Sequence, residues 1–119
     1  MQFDLDEDIT FEATHPETGI PFTLKPMDAP TYNRLRNKAK RAGEIDLVVF
    51  GGLVADESIK GWEKTDANGQ QKGVVQECTK ENRIRFGQKY ALSVMPWVTN
   101  QCMDATNTAK AELDEAKNG

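Results

Sequence analysis

The sequence predicts an α+β domain, an N-terminal β-hairpin followed by about four α-helices packed as a small bundle. Three observations carry that prediction. β-Forming residues alternate on both sides of a turn-rich segment near the N-terminus. Apolar residues then recur at three- and four-residue spacing through most of the remaining chain. The length of 119 residues, with 38% hydrophobic and 29% charged content, suits one globular unit, residues 1–119, and leaves no room for a second.

The hairpin is placed at about 9–25, with the turn at His15 to Gly19. Ile9, Phe11 and Ala13 fall on one face of its first strand and Phe22 and Leu24 on one face of its second. Two strands alone are marginal, so this apolar face must lie on helices. The helical part is placed at about 29–113. Asp28 is a plausible cap with Pro30 in the first turn of a helix running through Arg41 to Gly43, with Tyr32, Leu35 and Ala39 inside. Residues 45–60 read as a second helix burying Leu47, Val49, Phe50, Leu53 and Val54. Gly51 and Gly52 cost that helix about 1 kcal/mol each relative to alanine and favour close approach of a neighbouring backbone.

Residues 61–73 read as an exposed polar loop with an Asn68-Gly69 turn. Thr79 caps a third helix, Lys80 to about Met95, with Ile84, Phe86, Tyr90, Ala91, Leu92, Val94 and Met95 on its inner stripe; Pro96 ends or kinks it. A fourth helix follows from Trp97 to about Leu113 with Val98, Cys102, Ala105, Ala109 and Leu113 along one side, and residues 114–119 are expected to fray.

Composition excludes several functions. The net charge of −4 opposes attraction to phosphate backbones or anionic lipid, no apolar run is long enough to span a membrane, and the N-terminus is acidic where a secretory leader is basic. A cytosolic setting is therefore expected. Two cysteines, Cys78 and Cys102, and one histidine make neither a disulfide framework nor a metal site, and both thiols read as inert. His15, before Pro16, reads as a solvated turn residue. No phosphate loop, nucleophile–base pair or cofactor motif has a recognisable spacing, so no catalytic, cofactor-binding or metal-ligating residue is assigned and no enzyme is expected.

What remains is a surface. Residues 1–28 carry seven acids and one lysine, whereas residues 29–43 carry five bases, Arg34, Arg36, Lys38, Lys40 and Arg41, and no acid. This bipolar layout favours pairing between the acidic arm and the basic helix, within one chain or between copies, and hence weak, salt-sensitive self-association. The same bases could hold RNA, although no aromatic or glycine-rich readout motif accompanies them. Trp62 and Trp97 are the remaining candidates for protein contact, each also readable as a core plug. The hairpin's exposed edge is a further place where a partner strand could add.

The order of these signals resembles the tail assembly chaperones of long-tailed bacteriophages. The likeness lies in Phe22-Thr23-Leu24-Lys25-Pro26-Met27, in Leu53-Val54 leading through Lys60-Gly61-Trp62-Glu63 to Asp66 and Gly69, in Thr79-Lys80-Glu81-Asn82, and in Pro96-Trp97-Val98. It covers roughly residues 20–105. The resemblance implies a non-enzymatic protein of the host cytoplasm, without cofactor, that binds the tape-measure protein and recruits tail-tube subunits. A structural tail-completion or head-to-tail connector protein shares the same size and build, and a small RNA-binding regulator is the reading that the basic helix alone supports.

Overall fold

The computed structural model describes residues 9–62 and 73–118, with side chains through Asn107. Residues 1–8 of the acidic arm and 63–72 of the polar loop therefore lie outside the described residues, as do the side chains of Ala109 and Leu113. The fold is mixed α and β. The hairpin forms as expected: β1 (Phe11–Thr14) pairs antiparallel with β2 (Pro21–Leu24), setting Phe11 opposite Leu24 and Ala13 opposite Phe22. Alternation thus puts the apolar residues on one face, which closes over the helices; Phe22 and Leu24 are buried.

Helix α1 (Ala29–Lys38) starts where expected, because the Asp28 carboxylate accepts the Thr31 N–H at 2.9 Å. Its inner stripe is also as read, with Leu35 and Ala39 buried and Tyr32 half-buried. It ends three residues before Arg41. Ala42 and Gly43, with φ of 54° and 83°, make a two-residue turn between β3 (Lys40–Arg41) and β4 (Glu44–Ile45). The Asp46 N–H donates to the Ala39 carbonyl at 2.9 Å, tying this small hairpin back to the helix end.

Helix α2 (Leu47–Ser58) is capped by Asp46, whose Oδ1 accepts from the Val48 and Val49 N–H groups at 3.0 and 3.2 Å. It stops short of residue 60. Ile59–Trp62 leave the helix as β5 and join the sheet, which has the order β1-β2-β5, with Phe22 opposite Trp62 and an irregularity between Thr23 and Leu24. Unpaired β2 backbone would be costly to bury, and a β-branched residue followed by Lys60-Gly61 loses little by leaving the helix.

The third and fourth helices divide differently from the sequence reading. Helix α3 (Lys80–Lys89), capped by Thr79, ends six residues before Met95. The Tyr90 carbonyl accepts from the Ser93, Val94 and Met95 N–H groups, making a turn, and α4 then runs from Met95 to Asn118, past the expected end at Leu113. Pro96 lies in the first turn of α4, where its missing N–H costs nothing, rather than at the end of α3.

Helices α2 and α3 touch through small residues. A Cβ on Gly87 would collide with the Gly51 carbonyl oxygen and lie 2.6 Å from the Ala55 methyl. The expected close backbone approach at Gly51-Gly52 is therefore present, and its partner is Gly87. Around this contact the core gathers Phe22, Leu24, Met27, Val54, Ile59 and Val98. Three residues expected inside are instead outside: Ile9 is 81% exposed, Leu47 52% and Leu92 75%. Ile9 precedes the paired part of β1, Leu47 opens the first turn of α2, and Leu92 sits in the turn that splits α3 from α4.

Candidate protein-interaction surface

An aromatic series connects the sheet to α3 and α4. Phe22 meets Phe86 at 5.7 Å and Trp97 at 6.0 Å, and Phe86 meets Trp62 at 5.4 Å and Tyr90 at 4.9 Å between ring centroids. Such tilted pairs contribute about 0.5–1.5 kcal/mol each beyond burial. Trp62, at the end of β5, also donates its Nε1–H to the Gln76 carbonyl at 2.8 Å, so it joins the segment before α3 to the sheet. Trp97, half-buried in the first turn of α4, meets the His15 ring edge-on at 5.0 Å.

His15 is consequently not a solvated turn residue; it is 5% exposed. Its Nδ1 lies 2.9 Å from Thr18 Oγ1 and accepts the Thr18 N–H at 3.3 Å, while its backbone closes the turn with Ile20 and Gly19. The ring fills the space between that turn and Trp97, a contact between residues too far apart in sequence for local pattern to reveal.

The five cations do not form one helical stripe. Arg34, Arg36 and Lys38 lie on α1, and Lys40 and Arg41 lie on β3. Arg34 pairs with Glu57 at 3.7 Å, which Lys25 shares at 3.9 Å. Arg36 sits over the Tyr32 ring at 5.8 Å. Arg41 donates to the Lys38 and Lys40 carbonyls at 2.7 and 2.8 Å, satisfying the end of α1. Arg36, Lys38 and Lys40 are exposed and have no acidic partner within ion-pair distance among the described residues.

A groove of about 300 Å³ is lined chiefly by Tyr32, Leu47, Phe50, Leu92, Met95 and Thr99, and one of these, Tyr32, carries the Arg36 guanidinium over its ring. Exposed Val48 lies next to Leu47 at the start of α2. Sequence reading missed this patch, although a signal was present. Leu47, Val48, Val49, Phe50, Leu53 and Val54 surround α2 on every side, so not all of them can face one core. A larger cleft of about 720 Å³ opens beside α3, lined by Ile20, Phe22, Val74 and Tyr90 and by Arg85 and Lys89.

Among the described residues no group of three His, Cys, Asp or Glu could hold a metal ion, and no described helix is long and apolar enough to cross a membrane. Among the described residues the most buried ion pair joins Arg83 to Asp56 at 3.3 Å, with Arg83 also donating to the Cys78 carbonyl; both bonds fasten α3 to its surroundings. Burial pushes the Cys78 thiol up, and Arg83 offsets part of that. Burial pushes Cys102 up to about 11, opposed by the adjacent Ser58 hydroxyl. The groove thus offers shape and apolar area.

The neutral Cys102 thiol has a measurable consequence. The unfolded chain ionises it near 9, so its contribution to stability is complete below pH 9 and is lost as pH rises from 9 to about 11. Between pH 9 and pH 11 the unfolding free energy from urea titrations should fall by about 2 kcal/mol more in the parent chain than in Cys102→Ala. Equal losses in the two would remove this assignment.

Comparison of the chain with protein-family models, with curated proteins and with solved structures gives no match.

Proposed function

We propose that this chain is a tail assembly chaperone of the kind found in long-tailed bacteriophages, acting in the host cytoplasm by reversible protein contact. The observation that supports this reading best is the exposed apolar group Leu47, Val48 and Leu92, on a chain that also exposes the cations Arg36, Lys38 and Lys40 of α1 and β3. Such a surface suits many modest contacts along an extended polypeptide, here the tape-measure protein, with the tail-tube protein recruited afterwards. Copies of the chain also associate weakly, and salt weakens that association.

Co-expression with the tape-measure protein of the same phage tests the proposal. The parent chain is expected to raise the soluble fraction of that protein several-fold. Leu47→Asp combined with Leu92→Asp, at side chains that are already exposed, should keep the fold and lose the effect. Unchanged solubility of the tape-measure protein with the parent chain would dismiss the chaperone reading.

A further inference from the structure

We propose that the cleft beside α3 binds an extended acidic segment of another polypeptide, one that carries a large apolar side chain between two carboxylates. Its volume of about 720 Å³ falls within the range of about 300–1,000 Å³ typical of sites that enclose a ligand. Its apolar lining comes from Phe22, Val75, Phe86, Tyr90 and Val94, of which Val75 is 69% exposed. The charged lining is of one sign. Arg85 and Lys89 belong to it, and among the described residues no Asp or Glu does.

The sequence of α3 accounts for this arrangement. Asn82, Arg85, Phe86 and Lys89 recur at i, i+3, i+4 and i+7, so one stripe of the helix combines a buried ring with two exposed cations. A different stripe, with Ile84 and Gly87, is the one that meets α2. Arg85 Nη1 donates to Asn82 Oδ1 at 3.1 Å, and Lys89 Nζ lies 5.6 Å from the centre of the Tyr90 ring, so each cation is held by another residue of the lining. Neither has an acidic partner within ion-pair distance among the described residues.

Two features favour a peptide over a nucleic acid or a small organic acid. Arg85 and Lys89 are four residues apart, about 6 Å along the helix axis, close to the roughly 6.6 Å between residues i and i+2 of an extended chain. Gly73, Val74 and Val75, also in the lining, make no backbone–backbone hydrogen bond with a described residue, which leaves their main-chain groups open to the main chain of a ligand. A nucleic acid would bring one charge per nucleotide to a chain of net charge −4 and find two cations in the cleft. The same net charge repels a short acidic peptide only weakly, because physiological salt screens exposed charges beyond about 8 Å. The cleft shares no lining residue with the groove at Leu47 and Leu92, and its ligand does not depend on the proposed role in tail assembly.

Titration of the isotopically enriched chain with the blocked peptide acetyl-Gly-Asp-Phe-Asp-Gly-amide, followed through amide shifts, tests the proposal. Saturable shifts are expected at Val74, Val75, Phe86 and Lys89 and not at Leu47 or Leu92. Arg85→Gln with Lys89→Gln, at side chains that are already exposed, should weaken binding about tenfold and leave the rest of the spectrum unchanged. Arg36→Gln with Lys38→Gln removes the same charge from α1 and should leave binding unaltered. Replacing the peptide's Phe by Ser, or both its Asp by Asn, should weaken binding as the first pair does. Absence of shifts at the cleft would overturn the proposal, as would equal binding by the Arg85 and Lys89 variant or by either altered peptide, or an equal loss in the α1 variant. Tighter binding of phenylacetate or of a short oligodeoxythymidylate than of the peptide would also overturn it, by assigning the cleft to a small acid or to nucleic acid.

Discussion

Gly87→Ala is expected to destabilise the protein by about 3 kcal/mol, at the upper end of ordinary overpacking costs. The added methyl would strike the Gly51 carbonyl oxygen and the Ala55 methyl. Neither can move aside by rotating a side chain, so α2 and α3 must separate along their whole contact. The gain of about 1 kcal/mol from replacing glycine by alanine inside a helix is too small to offset this. Gly52→Ala is the matched control. Its methyl would meet Gln88 Cγ at 3.1 Å and Ile84 Cγ2 at 3.2 Å, both on side chains able to shift, so the propensity gain and the crowding should nearly cancel. Urea denaturation of the two variants decides the matter, and equal stability would mean that the helices are not in backbone contact at Gly87.

Phe22→Ala should cost about 3–5 kcal/mol, the range for removing a buried phenyl ring. Phe22 is 1% exposed and lies on the central strand, where it touches both Phe86 and Trp97. Its loss therefore loosens the sheet from α3 and α4 together. In a domain whose whole stability is about 5–15 kcal/mol, the variant would be partly unfolded at ambient temperature. The tryptophan fluorescence of the fraction that stays folded should also change, because the Trp97 ring loses a neighbour. A thermal midpoint within a few degrees of the parent would show that Phe22 is not the link between layers.

Much of the fold was legible because its signals are local. Asp28, Asp46 and Thr79 precede helices and cap them; the first hairpin alternates; and Tyr32, Leu35 and Ala39 share one face of α1 and its end. The errors arise where distant residues decide. Nothing within Ile59–Trp62 marks a strand, since its identity depends on pairing with β2 across two intervening helices. The β3–β4 turn was hidden because Ala42 adopts a left-handed conformation that alanine seldom takes. His15 is buried because Trp97 arrives beside it.

The candidate surface was only half legible. The five bases were visible as a cluster, but the split between α1 and β3 and the use of Arg41 depend on where the helix ends, and the Arg34–Glu57 pair depends on how α1 lies against α2. The apolar half was misread, since Leu47 and Leu92 match helical periodicity and yet point away from the core. Periodicity identifies a face; it does not say which of two apolar faces finds a partner inside the molecule.

The central position of β2 also governs the order in which the protein can be made. Its first neighbour, β1, is already synthesised when it emerges from the ribosome, but its second neighbour follows only after α1 and α2. Until translation passes Trp62, the nascent chain has a bare sheet edge and lacks the cover that Phe86 and Trp97 will supply. Synonymous codons that slow elongation between residues 25 and 62 should therefore lower the yield of native protein, by prolonging the interval in which that edge can pair with another polypeptide.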